Sequence, residues 1–106
     1  MRMLEVGPGR SPSMLMTKLG VDYVSVDKFP TRRDQLGLTV CGDLLDISID
    51  MIGNFDLVYG SNVLGNNPNP TSRLNIVKKA VEFLNDSGRL LMVEYLSPNR
   101  AGLCVI

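Results

Sequence analysis

Apolar residues in this chain fall into short dense runs and one long stretch at helical spacing, with turn-forming residues between them. Arg2 to Val6 is the first dense run, and it stops at Gly7-Pro8-Gly9, the pattern of a buried strand entering a tight turn. Ser11-Pro12 has the form of an N-cap and a first helical residue, since proline has no N–H to lose there and its φ is preset. The spacing predicts a short helix to about Leu19, with Met14, Leu15 and Leu19 inward and Gly20 as its stop. Tyr23 to Val26, rich in β-branched and aromatic residues, reads as a second strand ending on Asp27. Beyond a polar, proline-containing loop from Lys28 to Gln35, Leu38 to Cys41 reads as a third strand closed by Gly42-Asp43.

Residues 44 to 52 are short and mixed, and a brief helix before Gly53-Asn54 fits them. Phe55 to Gly60 is a fourth strand, followed by a loop from Ser61 to Asn69 rich in Asn, Gly and Pro. Asn69-Pro70 caps the next helix, in which Leu74, Ile76, Val77, Ala80, Val81, Phe83 and Leu84 recur at three- and four-residue spacing on one broad face. Arg73, Lys78, Lys79 and Glu82 occupy the other. Ser87-Gly88 is expected to end that helix as a left-handed cap, and Arg89 to Leu96 supplies a fifth strand. Strands alternating with helices predict an α/β fold: an open, mostly parallel five-stranded sheet with helices on both faces, in a single domain over residues 1–106. Ligands of such sheets sit at the carboxyl ends of the strands, near the switch in strand order. Glu5 to Gly9, Asp27, Asp43 and Ser61-Asn62 all fall at those ends.

Composition narrows the chemistry. The chain has 106 residues, 44% of them hydrophobic, which suffices for one core and leaves no room for a second domain. Basic and acidic residues number 11 each, so a broad electrostatic footprint for nucleic acid is not indicated. No apolar run approaches the ~20 residues needed to cross a bilayer, and no basic segment leads into an apolar one at the start, so a soluble, cytoplasmic protein is expected. Histidine is absent, which excludes histidine-dependent triads and removes the commonest zinc ligand. Cys41 and Cys104 lie far apart and read as reduced packing residues. Asp46 and Asp50 read as solvated helix positions, so the acidic string around Asp43 is no metal site.

The candidate chemistry starts at the first turn. Glu5-Val6-Gly7-Pro8-Gly9 is a stretch of backbone with little side-chain bulk, so a ligand can approach its amides closely. Asp27 follows Gly7 by 20 positions, at a strand end where an acid can accept from both ribose hydroxyls. Together they point to an adenosine-type ligand. Nicotinamide and flavin dinucleotides are rivals, but their fingerprint wants a third glycine where this chain has Pro12. They also place a doubly charged pyrophosphate over the loop, where Glu5 would repel it. A sulfonium compound carrying an ammonium group prefers the reverse.

Leu4-Glu5-Val6-Gly7-Pro8-Gly9 resembles the glycine-rich first motif of class I S-adenosylmethionine-dependent methyltransferases. The resemblance covers roughly residues 3 to 96. It implies that Asp27 binds the ribose and that Gly42-Asp43-Leu44 corresponds to the segment whose acid contacts the adenine amino group. Phe55-Asp56-Leu57-Val58 with Ser61-Asn62-Val63-Leu64 is similar to the fourth-strand motif, and Ser87-Gly88-Arg89-Leu90-Leu91 to the turn into the fifth strand. The implied cofactor is S-adenosylmethionine, bound by Glu5, Gly7, Pro8, Gly9, Asp27, Lys28, Asp43, Leu44, Ser61 and Asn62. The implied activity is methyl transfer to an acceptor that the sequence does not name, the alternative being a non-catalytic cofactor-binding or protein-interaction module.

Against that family pattern, the usual C-terminal hairpin of two further strands and full cover for a substrate are not expected within these residues. Residues 101 to 106 are expected to form one short strand or an apolar tail. A fifth strand left at the edge would be an exposed pairing surface, so a homodimer or a partner protein is expected there. Asn66 to Pro70 differs from the motif of DNA amino-methylating enzymes, lying too far beyond the fourth strand and lacking the aromatic that stacks on a flipped base. Lys28, Arg32 and Arg33 lie beside the expected pocket, where they are either a solvated loop or a site for an acidic group. Tyr59, Ser61, Asn62 and Asn66 lie near enough to position an acceptor, but no spacing identifies a catalytic residue.

Overall fold

The computed structural model describes residues 1–8, 18–28, 40–65, 67, 69–97 and 100–105. Its strands are β1 (Arg2–Val6), β2 (Asp22–Asp27), β3 (Val40–Cys41), β4 (Phe55–Ser61), β5 (Leu84–Ser97) and β6 (Arg100–Val105). A 3-10 turn, Leu44–Asp46, precedes the short helix α1 (Ile49–Ile52), and α2 (Pro70–Glu82) joins β4 to β5. The sheet order is β3-β2-β1-β4-β5-β6. The first five strands pair in parallel, as expected for an open α/β sheet. No helix among the described residues is long and apolar enough to cross a membrane.

The sixth strand goes beyond the expectation. β6 runs antiparallel to β5, from Leu91 opposite Val105 to Ser97 opposite Arg100, so residues 101 to 105 take the short strand that was one of their two expected forms. Its run is short and holds a glycine, so local pattern alone was a weak signal. Pairing supplies what the pattern lacked, because the edge of β5 carries amide and carbonyl groups that need partners. The edge that motivated an expected homodimer is thus closed within the chain.

The core lies on the face of the sheet that carries Leu4, Val6, Val24, Val26, Val58, Leu90 and Met92, all buried. Alternation at period two sends their side chains to one side. Phe55, Phe83, Ala80, Leu44 and Ile47 complete that cluster, with the two phenylalanine rings 6.4 Å apart at 59°. α2 starts as expected: Asn69 Oδ1 accepts from the amides of Thr71 at 2.8 Å and Ser72 at 3.4 Å, and Pro70 opens the first turn. Its buried face is narrower than the apolar pattern suggested, since Leu74 and Val81 are 52% and 41% exposed. Leu19, expected inward, is 66% exposed. Met14, Leu15, the Ser11-Pro12 cap and Leu38-Thr39 lie outside the described residues; Lys18 is helical and Gly20 has φ 78°, which suits the expected stop.

α2 ends at Glu82, short of the Gly88 cap that the sequence suggested. The cause is tertiary. Phe83 is fully buried, and its carbonyl accepts from Phe55 N at 2.7 Å, so the chain turns into β5 at once. Leu84 then pairs with Phe55, and Arg89 with Leu57, leaving Asn85 to Gly88 opposite the single Asp56. Gly88 has no left-handed φ. It serves close approach instead: a Cβ there would lie 2.9 Å from the carbonyl oxygen of Phe55 and 3.1 Å from that of Asn85. Both are backbone atoms with little freedom to retreat. Gly88→Ala should therefore lower the unfolding free energy by about 1–3 kcal/mol, read from the denaturant midpoint.

At the amino ends of the strands, Arg2 ties three segments together. Its side chain bonds Asp22 at 2.8 Å and the carbonyl of Asn54 at 2.9 Å, and the guanidinium lies 4.5 Å above the Phe55 ring. Its amide donates to Asp56 at 2.8 Å, and Asn85 Nδ2 donates to the same carboxylate at 2.9 Å. The Arg2 amide first, and the Asn85 side chain second, hold Asp56 below its ordinary value of 3.8. A carboxylate depressed in the folded state adds stability above its unfolded value, and that stability is lost as pH falls through the folded value. Asp56→Asn should therefore be less stable than the parent at neutral pH, with the gap in melting temperature closing below pH 3.8.

Candidate functional site

Strand order reverses at β1: β2 and β3 lie to one side of it, and β4, β5 and β6 to the other. A crevice opens at the carboxyl ends of strands at such a point. Here the first turn leaves the sheet through Gly7, whose φ is 62° and whose amide donates to Val26 O at 2.8 Å. That left-handed φ costs a residue with a Cβ, and a Cβ would also lie 3.2 Å from Val63 Cγ2. Glycine is thus demanded twice, by conformation and by the side chain across the cleft.

Beside the bend, β2 closes on Asp27, which is 6% exposed. Gly42 N donates to its carbonyl at 2.8 Å, which brings the end of β3 alongside. Asp43 then caps the 3-10 turn, its Oδ1 accepting from Leu45 N at 3.0 Å. The result is a cleft of about 260 Å³. It is lined by Val6, Gly7, Val26, Asp27, Lys28, Gly42, Asp43, Leu44, Leu45, Val63, Asn67, Ser72 and Ile76. Two acids, one lysine, Asn67 and Ser72 supply its polar side chains, and Leu44, Leu45, Val63 and Ile76 are apolar. This is the mixture of apolar wall and few convergent polar groups that small-molecule sites show, at a volume just below their usual ~300 Å³.

Of the residues singled out in the sequence, Gly7, Asp27, Lys28, Asp43 and Leu44 line this cleft. Pro8 is half-buried next to Gly7, and Gly9 lies outside the described residues, as do Arg32, Arg33 and Asn66. Glu5 stands apart from the lining. Val6 faces the cleft, so the preceding residue projects from the opposite side of the sheet. There Glu5 is 8% exposed and accepts from the hydroxyl of Tyr23 at 2.5 Å. Tyr59 is opposite Glu5 in register and shares that side. Ser61, the exposed last residue of β4, and Asn62 also stand outside the lining, although Asn62 shapes the turn beside it with a φ of 55°.

Sequence reasoning did not name Val63, Asn67, Ser72 or Ile76 as site residues. Ile76 looked like core from its helical spacing. α2 brings Ser72 and Ile76 to the cleft, and the turn after β4 brings Val63 and Asn67. Asp46 and Asp50 are exposed, as expected of solvated positions, and no group of three or more potential metal ligands occurs among the described residues. Cys41 is a free thiol, half-buried at the end of β3.

No family model matches the chain, and no curated protein sequence matches it. Solved structures do. The methyltransferase CcbJ from Streptomyces caelestis superposes with a TM-score of 0.78 at 19% identity, over 92% of this chain and 43% of that one. An amino pentose methyltransferase of calicheamicin biosynthesis from Micromonospora echinaspora, solved with S-adenosylmethionine bound, gives 0.74 at 18% identity, over 93% of this chain and 44% of that one. The N-methyltransferase NodS from Bradyrhizobium japonicum, solved with S-adenosylhomocysteine, gives 0.64 at 19% identity, over 87% and 51%. The chain thus spans about half the length, or less, of the structures it matches. It has the fold of S-adenosylmethionine-dependent methyltransferases.

The geometry of the bend makes a direct test of the site. Gly7→Ala should cost about 1–2 kcal/mol in stability from the left-handed backbone alone. It should also narrow the cleft against Val63, and the two effects separate when the melting temperature and ligand affinity are measured on the same variant.

Proposed function

We propose that this chain binds S-adenosylmethionine and forms the cofactor-binding part of a methyltransferase. The observation that carries the reading is the meeting, in one cleft, of the bare backbone at Gly7 with two acids that close neighbouring strands, Asp27 and Asp43. Asp27 is assigned to the ribose hydroxyls, because a carboxylate accepts from both. Asp43 is assigned to the adenine amino group, with Leu44, Val63 and Ile76 offering apolar surface to the base. The bend at Gly7 and Pro8, with Gly9 next in sequence, is assigned to the amino-acid half; Glu5, turned to the other side of the sheet and bonded by Tyr23, is given no contact with it. Lys28, Ser61 and Asn62 complete the proposed contacts at the rim.

The cofactor would supply a methyl group on a positively charged sulfur. What this chain contributes is placement, and placement is worth several kcal/mol of a transfer barrier when the reacting atoms are held in line. No side chain is assigned as a base. Two of the similar structures are named for nitrogen or amino-sugar methylation, so an amine is the acceptor class to try first. A homodimer or partner protein would meet the outer edge of β6, since β5 is paired on both sides.

Calorimetry with S-adenosylhomocysteine and with NAD tests the reading. The first ligand should bind and the second should not. Asp27→Asn keeps the volume of this buried residue but weakens its acceptor, and should reduce affinity roughly 10- to 100-fold with the melting temperature little changed. Binding of NAD, or no binding of S-adenosylhomocysteine, would reject the proposal. Turnover of labelled cofactor with amine acceptors then separates an enzyme from a binding module.

A further inference from the structure

We propose that Glu94 is a positioning residue whose carboxylate fixes the turn after β4 as a wall of the cleft. Its two oxygens accept from adjacent backbone amides, Oε1 from Leu64 N at 2.9 Å and Oε2 from Gly65 N at 3.0 Å. An ionised carboxylate is the side chain suited to this task, having acceptor capacity on both oxygens and no proton to point at either donor.

The turn needs such a tie. Asn62 sits at φ 55°, a conformation that residues with a Cβ seldom adopt. Its amide is held by Val93 O at 2.7 Å, and the far side of the turn by Asn67 Nδ2 on Val63 O at 2.9 Å. Glu94 fills the gap between these bonds. Together they set Val63 against the bend, with its Cγ2 3.2 Å from where a Cβ of Gly7 would lie. Glu94 itself is set from the other side, since it pairs with Gly102 of β6. The C-terminal hairpin, the acid on it, the turn and the cleft wall therefore form one mechanical series. The consequence for affinity rests on the cleft being the cofactor site; the tie between Glu94 and the turn does not.

The test uses the full chain and two substitutions, Glu94→Gln and Glu94→Asp. Three quantities are read: amide hydrogen exchange at Leu64 and Gly65, affinity for S-adenosylhomocysteine, and melting temperature. In Glu94→Gln one of the two amides faces an NH2 group, so exchange there should rise roughly tenfold while Val58 in β4 stays protected. Affinity should fall about tenfold with it. Glu94→Asp keeps the charge and shortens the reach by one methylene. Affinity in this variant should follow amide protection, being restored only if protection is. Affinity regained with both amides unprotected would show that charge alone matters and would overturn the proposal. Unchanged exchange in Glu94→Gln would overturn it as well. Should the parent not bind S-adenosylhomocysteine while Glu94→Gln still loses amide protection, the tie stands and the cofactor reading falls.

Discussion

Parallel pairing on both sides of β1 is the constraint from which the rest of the molecule follows. β1 is five residues long, and Val6 at its end is opposite Val26 of β2 and Gly60 of β4. A slip of one residue would turn Leu4 and Val6 out of the core and bring Met3 and Glu5 into it. The hydrophobic pattern forbids that slip, so the three strands end together. Gly7, Asp27 and the turn after Ser61 become neighbours for that reason, though they are far apart in sequence. The cleft is in this sense a by-product of register.

The two ends of the sheet are built from different materials. At the amino ends, Arg2 gathers Asp22, Asn54, Phe55 and Asp56 into a polar tie that spans the start of β1, the start of β2 and the start of β4. At the carboxyl ends, backbone conformation takes over: a left-handed glycine, a left-handed asparagine and two carboxylates that cap backbone amides, Asp43 on Leu45 and Glu94 on Leu64 and Gly65. Side chains bonded to one another hold the first of these ends together. The cleft lies at the other end, between bends and caps whose shape is set by the backbone.

Much of this was legible in the sequence, and the divisions are physical. The parallel strands read correctly because buried runs bounded by turn residues are a local signal, and Asn69-Pro70 marked the start of α2 because capping is local too. The end of α2 was misplaced at Gly88 because Phe83 leaves the helix for a place in the core and a bond from Phe55, neither of which lies nearby in the chain. β6 was missed as a certain strand because its reason to form is the edge of β5. In the site, Gly7, Asp27 and Asp43 were found through strand-end logic. Glu5 was placed at the bend by adjacency, whereas the pleat turns its side chain to the far side of the sheet, to Tyr23. Glu94 carried one overlooked signal, an acid closing the apolar run from Leu90 to Val93.

Neighbouring positions on β1 live under opposite rules. Leu4 and Val6 lie among apolar groups that ask only for volume and shape, and such surroundings tolerate exchange for other hydrocarbons of similar size at small cost. Glu5, between them, is buried beside Ser25 and bonded by Tyr23, and a group so placed is tolerant of almost nothing, because each lost partner strands a desolvated donor or acceptor. Drift should thus be freer at Leu4 and Val6 than at Glu5, with compensating change at Glu5 arriving from β2 and not from its own neighbours.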